Sequence, residues 1–280
     1  MKIDFPIEQA VRKRTSVRNY AAQDIDAEKI EALKHFISTL NNPFGPEVLF
    51  HFLEPSEMED QQKLGTYGVI KGAKRYIGAT VKEGPLALEA LGYEFETVIL
   101  FLAHLNLGSC WLGGTFNREG FASAMDIGEG RIFPAIIPYG YEANKRHLTE
   151  TVMRRIISAD QRKSWNELFF SQDFHSTLAK EAAGDLEFSL EMIRLGPSAS
   201  NKQPWRILFK NDMLHFYENQ EPGYSTRFPY DIQRLDMGIA AAHFDLSVRE
   251  KGIEGHFDFA SEPILELPKN TLYCYSWIRD

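Results

Sequence analysis

Gly196-Pro197-Ser198-Ala199-Ser200-Asn201-Lys202-Gln203-Pro204-Trp205 runs directly into Arg206-Ile207-Leu208-Phe209, and the reading of this stretch decides the reading of the chain. It is a polar loop between an amphipathic helical pattern (Phe188, Met192, Leu195) and a strand-like apolar run. Pro197 and Pro204 restrict the backbone at its two ends. Ser198, Ser200, Asn201 and Gln203 offer hydroxyls and amides that suit a polar heteroaromatic ring or a polyol. The same residues also suit a capped turn in which they satisfy only their own backbone.

Working outward, the same order of elements occurs earlier in the chain. Asp26 is predicted to cap a helix whose apolar residues Ile30, Leu33, Ile37 and Leu40 recur at helical spacing, and Asn41-Asn42-Pro43 leads to the strand-like Val48–Leu53. A long apolar helix carrying Leu91, Phe95, Val98, Ile99 and Leu102 ends near Leu107-Gly108. Its counterpart carries Leu235, Ile239, Ala242, His243 and Leu246 and ends near Lys251-Gly252, at a constant offset from Leu91/Leu235 to Gly108/Gly252. The expected organisation is therefore two related halves, residues 1–160 and 180–280, joined by a connecting segment 161–179. A helix apolar on most faces, such as Phe95 to Leu105, belongs at the centre of a core. Halves that pair like subunits of a symmetric dimer would leave clefts of the kind cofactors use.

The 280 residues carry a formal charge of −8 with acidic and basic residues interspersed, so the basic stripe that nucleic acid requires is lacking. No apolar run approaches the span of a bilayer. Two cysteines, Cys110 and Cys274, are too few for a disulfide framework or a cysteine-based zinc site, and the histidines lack metal-ligand spacing. The start of the chain lacks the apolar core of a secretion signal, which makes a reducing cytoplasm the expected location.

Three segments carry a resemblance. Arg14-Thr15-Ser16-Val17-Arg18-Asn19-Tyr20 resembles the Arg-Arg-Ser-x-Arg-x-Phe signature of the nitroreductase family of FMN-dependent oxidoreductases. Pro197 to Trp205 resembles that family's Pro-Ser-x-x-Asn-x-Gln-Pro-Trp loop, and Leu105 to Gly114 its Gly-Leu-Gly-x-x-Trp-x-Gly-Gly segment. Pro134 to Tyr141, a strand followed by Lys145-Arg146, is a weaker fourth match. The order departs from the family's, because here the Pro-Ser loop comes last. That order is similar to the branch in which two half-like units are fused into one chain.

The resemblance implies an α+β, nitroreductase-like fold: two half-domains with mostly antiparallel sheets flanked by helices, forming an intramolecular pseudo-dimer able to stand as a monomer. It implies one FMN per chain, held by Arg14, Thr15, Ser16, Arg18, Leu112, Gly113, Gly114, Lys145 and Arg146 from half one and by Pro197, Ser198, Ala199, Ser200, Asn201 and Gln203 from half two. Arg14 with Lys145 or Arg146 suits the phosphate dianion, with Ser16 donating its hydroxyl. Arg18 suits the N1 and C2-carbonyl region, where a cation stabilises reduced flavin. Gly113-Gly114 allows backbone N–H groups to approach N5. Pro197, Ser198 and Ala199 would lie along the isoalloxazine, Ser200 and Asn201 would reach ribityl hydroxyls or ring heteroatoms, and Gln203 would brace the loop. Half one carries Leu40 to Pro46 in place of the Pro-Ser loop, and half two has no arginine segment, so a second site is expected to have decayed.

The activity implied is FMN-dependent NAD(P)H oxidation, by NADH or NADPH, with electrons passed to a small acceptor such as a nitroaromatic or quinone. No side chain is expected to act as general acid or nucleophile, because the isoalloxazine carries the electrons. A flavin-binding carrier or sensor with little turnover is the alternative. Residues 65–84 are read as a loop, of which the glycine-rich stretch Gly65 to Ala73 is expected to lie near the cofactor.

Overall fold

The computed structural model describes residues 3–54, 64–143 and 161–280. The chain divides into two units, Met1–Ala159 and Asp160–Asp280.

The first unit contains α1 (Ile7–Lys13), α2 (Ala27–Ser38), β1 (Val48–Leu53), β2 (Arg75–Lys82), α3 (Ala87–His104), β3 (Gly108–Ser109), α4 (Arg118–Ala124) and β4 (Arg131–Gly140). Its sheet runs in the order β1-β2-β4-β3 and is antiparallel throughout. Residues 75–82 of the stretch expected to be a loop are thus the central strand β2, whose burial on both faces follows from its run of small and β-branched residues. Asp26 stands at the N-cap of α2, but its carboxylate makes no capping bond and instead accepts from the Tyr141 hydroxyl at 2.7 Å. Every residue of α3 from Ala87 to Leu100 is buried, as an all-round apolar helix demands. On it packs an aromatic cluster in which Phe36 stacks on Phe101 at 4.0 Å and Phe5 meets Phe101 edge-on at 5.5 Å. A second core gathers Val17, Leu53, Tyr76, Cys110, Leu112, Phe116, Phe121 and Phe133. Burial of each large side chain there contributes about 1.5–3 kcal/mol.

The second unit contains α5 (Trp165–Leu168), β5 (Phe169–Ser171), β6 (Asp173–Thr177), α6 (Glu187–Leu195), β7 (Trp205–Lys210), β8 (Met213–Asn219), α7 (Gln233–Glu250), β9 (Gly255–Asp258) and β10 (Thr271–Arg279). Its six strands run β6-β5-β7-β8-β10-β9, with β5 and β7 parallel and the other neighbours antiparallel. The segment 161–179, read as a connection, supplies α5, β5 and β6 to this unit. Strands of three and five residues are too short to show a period in the sequence.

The order β7-β8-β10-β9 repeats β1-β2-β4-β3, each set laid down as helix, loop, two strands, long helix, two strands. The two long helices also end alike. Leu107 N–H bonds the Leu102 carbonyl at 2.9 Å around Asn106 at φ 62°, and Ile253 N–H bonds the Val248 carbonyl at 2.9 Å around Gly252 at φ 70°. This closure needs a left-handed residue just past the helix, a place for glycine or asparagine. Asn106, rather than Gly108, is therefore the counterpart of Gly252, and the true offset is two residues longer than the apolar pattern suggests.

Among the described residues no helix is long and apolar enough to cross a membrane, and no group of His, Cys, Asp and Glu could hold a metal ion. Cys110 and Cys274 are buried and are not joined in a disulfide.

Glu94 on α3 is buried and accepts from the Asn42 amide at 2.6 Å. Burial pushes its carboxyl up to about 7, against the lowering effect of the Asn42 bond, and Glu47 nearby adds to the rise. The folded chain therefore holds a proton that the unfolded chain releases. The resulting stability is full below the ordinary glutamate range and is lost as pH climbs from about 4.5 to about 7. Glu94→Gln should remove roughly 2–3 kcal/mol of that pH dependence. Urea midpoints at pH 5 and pH 8 check this, and an unchanged difference between them would refute the assignment.

Candidate functional site

In the first unit the arginine segment is clamped along its backbone. Val17 N–H bonds the Ser109 carbonyl at 2.9 Å on one side; Lys71 N–H bonds the Arg18 carbonyl and Tyr20 N–H the Lys71 carbonyl, both at 2.9 Å, on the other. Ala21 N–H continues the run onto the Tyr141 carbonyl at 2.9 Å. Two glycines permit this approach. A Cβ on Gly108 would stand 2.7 Å from a Val17 methyl, and one on Gly72 would stand 2.4 Å from the Tyr20 carbonyl oxygen. The backbone at Lys71 and Gly72 thus lies along the arginine segment.

Arg18 is buried, at 8% exposure. Among the described residues its guanidinium meets no carboxylate: Nη1 reaches the Ser16 carbonyl at 3.5 Å, and Nε has no hydrogen-bond partner. A buried cation of this kind fits an electron-rich or anionic partner, since leaving it without one costs several kcal/mol. Arg14 is placed differently. Its Nε lies 4.0 Å from Oε1 of Glu96, a carboxylate with 0% exposure on α3. Oε2 of Glu96 accepts from Trp111 Nε1 at 2.7 Å. One buried carboxylate therefore draws together the arginine segment and the segment leading to Gly113-Gly114.

Leu112 is buried and exchanges both backbone hydrogen bonds with Ile136 of β4 at 3.0 Å. Arg118, at the start of α4, donates to the Gly113 carbonyl at 2.7 Å, the Phe133 carbonyl at 2.9 Å and the Pro134 carbonyl at 3.2 Å, which pins the turn to the sheet. Gly113 is half-buried and Gly114 exposed. Ser16 is half-buried and bridges to Ser109, and Thr15 is exposed. The structure thus brings together Arg14, Thr15, Ser16, Arg18, Leu112, Gly113 and Gly114. Lys145 and Arg146 lie outside the described residues.

In the second unit the loop follows α6 and holds an uncommon backbone. Ser200, Asn201 and Gln203 have φ of 47°, 56° and 48°, in the left-handed region that costs about 1–3 kcal/mol for each residue with a side chain. Hydrogen bonds offset the cost. Gln203 is buried; its N–H donates to Ser198 Oγ at 2.8 Å, its Oε1 accepts from Lys163 N–H at 2.8 Å, and its Nε2 reaches the Asn201 carbonyl at 3.2 Å. Gln203 is thus an internal brace. The Asn201 side chain donates to the Gln161 carbonyl at 3.0 Å and accepts from Arg162 at 3.2 Å. Ser200 Oγ meets the Tyr224 hydroxyl at 2.9 Å, and Ala199 N–H donates to Asp236 Oδ1 at 2.9 Å. Pro197, Ser198 and Ala199 are half-buried. Beside the loop, burial and then the Arg206 charge push the Lys163 ammonium down to about 8.

The corresponding loop of the first unit is closed on itself. Asn42 uses its amide oxygen on the N–H groups of Phe44 and Gly45, both at 3.0 Å, and its amide nitrogen on the Pro46 carbonyl at 2.9 Å and on Glu94. Phe44 is buried with its ring edge-on to Tyr93 at 6.1 Å.

Reading the residues missed Glu96, Arg118 and Asp236. The available signal was a charge inside an apolar helical stripe, as in Phe95-Glu96-Thr97 and Leu235-Asp236-Met237. A charge in such a place has to be paired when buried.

A family model described as "Putative TM nitroreductase" matches residues 6–248. Among solved structures, a putative nitroreductase from Thermotoga maritima is similar at 21% identity over 99% of this chain and 95% of its own, with a TM-score of 0.56, which shows the fold. A nitroreductase with bound FMN from Bacteroides fragilis matches 51% of this chain and 92% of its own at 16% identity, with a TM-score of 0.41. A putative NADH oxidase from Clostridium acetobutylicum matches 49% of this chain and 89% of its own at 22% identity, with a TM-score of 0.40. Among curated proteins none matches the chain.

Glu96→Ala removes both the carboxylate facing Arg14 and the acceptor of Trp111 Nε1. We expect a loss of about 3–5 kcal/mol in stability, the cost of breaking a buried ion pair. Urea denaturation followed by tryptophan fluorescence measures it, and a loss below about 1 kcal/mol would refute the buried pairing.

Proposed function

The chain belongs to the family described as "Putative TM nitroreductase", and from that premise we propose that it is an FMN-dependent oxidoreductase that takes electrons from NADH or NADPH and passes them to a small acceptor such as a nitroaromatic or quinone. The observation that carries the proposal is Arg18, a buried guanidinium that meets no carboxylate among the described residues, in the segment that resembles the family's arginine signature. When bound, FMN would supply an isoalloxazine able to accept a hydride from a nicotinamide and to release electrons to a second substrate.

The residues present fit such a group. Arg18 offers a cation already desolvated, which stabilises negative charge more strongly than a solvated one. Arg14, Thr15 and Ser16 are assigned to the phosphate side, with Lys145 and Arg146, and Leu112, Gly113 and Gly114 to the edge that backbone N–H groups approach. From the second unit we assign Pro197, Ser198, Ala199, Ser200 and Asn201 to contact and Gln203 to bracing. Asn201 and Ser200 already spend bonds on Gln161, Arg162 and Tyr224, so their contribution is one of shape as much as of donors. The self-closed loop around Asn42, with Phe44 turned into the core, supports one FMN per chain. We further propose that the chain acts in the cytoplasm and is a monomer.

Purified chain should be yellow and release one FMN per polypeptide on denaturation, and NADH or NADPH should bleach it in the absence of oxygen. Arg18→Ala should weaken FMN binding by about 2–4 kcal/mol. A colourless chain that takes up no FMN would overturn the proposal, two flavins per chain would overturn the single site, and a flavin left unbleached by either nicotinamide would point to a carrier.

A further inference from the structure

Asp236 has no part in the roles assigned above, yet it is 2% exposed and sits on the first turn of α7, within a helix buried almost from end to end. Its Oδ1 accepts from Ala199 N–H at 2.9 Å. Ala199 opens the short turn Ala199–Asn201, whose next two residues are held at φ of 47° and 56°. Such a backbone does not persist by itself and must be held by its surroundings.

The hydrogen bonds divide the labour. Those of Gln203 and Asn201 tie the later half of the loop to residues 161–163 and to the loop itself. The earlier half is held from Asp236 through Ala199 and from Tyr224 through Ser200 Oγ. Of these two, the first is made by a carboxylate to a backbone N–H, which makes it the stronger. It also originates on a packed helix, while Tyr224 lies in a connection and Ser200 is exposed. Within the loop Gln203 N–H donates to Ser198 Oγ at 2.8 Å and Asn201 N–H to the Ser198 carbonyl at 3.0 Å, so it is the bond to Asp236 that ties this half to a packed helix.

We propose that Asp236 is the positioning residue of the Pro-Ser loop: by fixing Ala199 N–H it sets the left-handed turn in which Ser198, Ala199 and Ser200 are presented to the flavin. The holding of the turn is a property of the second unit alone; its effect on flavin rests on the function proposed above. The two parts are therefore separable by experiment.

The test uses the full chain carrying Asp236→Ala or Asp236→Asn, with amide hydrogen exchange read on flavin-free protein and FMN affinity read on the same preparations. The Ala variant should speed exchange at residues 198–201 by roughly tenfold or more, with β7, β8 and the later turns of α7 unchanged, and should raise the FMN dissociation constant by about 10–100-fold. The Asn variant keeps an acceptor oxygen without the charge, so it should show a smaller local rise of a few-fold in exchange and rescue most of the affinity. Should the Ala variant fail to fold, the Asn variant alone decides through its local exchange. Exchange at 198–201 that stays as in the parent, or that rises equally across the whole unit, overturns the positioning role. Faster exchange confined to the turn, with FMN affinity unaltered, upholds that role and overturns the assignment of the loop to flavin.

Discussion

Buried carboxylates on two long helices hold the loops that matter in this chain. A carboxylate removed from water must find donors or take up a proton. Glu94 finds the Asn42 amide, Glu96 finds Trp111 Nε1 and faces Arg14, and Asp236 finds the N–H of Ala199. Each helix is otherwise sheathed in apolar neighbours, so its charged positions are fixed in space, and the segments that satisfy them are fixed in turn. The arginine segment, the turn at Gly113 and the Pro-Ser loop all acquire their shapes from such anchors and from the backbone clamps beside them.

The two units share one plan and differ where their loops leave the first helix of the repeat. In the first unit Asn42 spends its amide on the loop around it, and Phe44 fills the core against Tyr93. In the second unit three left-handed residues keep Pro197, Ser198 and Ala199 only half-buried. The strained version is sustained by Gln203, Asn201 and Asp236, and strain of this sort gathers where a protein binds something. The unstrained version is merely well packed. The units thus differ in these loops while sharing the strand order and the helix closures at Asn106 and Gly252.

Local chemistry was legible in the residues. Periodicity placed the strand Val48–Leu53 and the long helices, prolines bracketed the loop, and the motif segments could be set against a family because such signals are short and contiguous. Less legible was whatever depends on distant partners. The short strands β5 and β6 carry no period of their own and form because β7 offers an edge to pair with. The offset between the repeats was misread by two residues, since an apolar stripe tolerates slippage whereas a left-handed closing residue does not.

By itself the sequence determined the repeated order of elements, which follows from spacing along the chain, and the segments that resemble flavin-binding motifs, whose resemblance to a family implied the class of fold. Only the tertiary structure decided that Arg18 is buried and, among the described residues, meets no carboxylate while Arg14 faces Glu96, that Gln203 points inward, and that Asp236 holds Ala199. The reason is physical: the state of a charge depends on which groups surround it once water has been excluded, and those groups come from residues far apart in the chain.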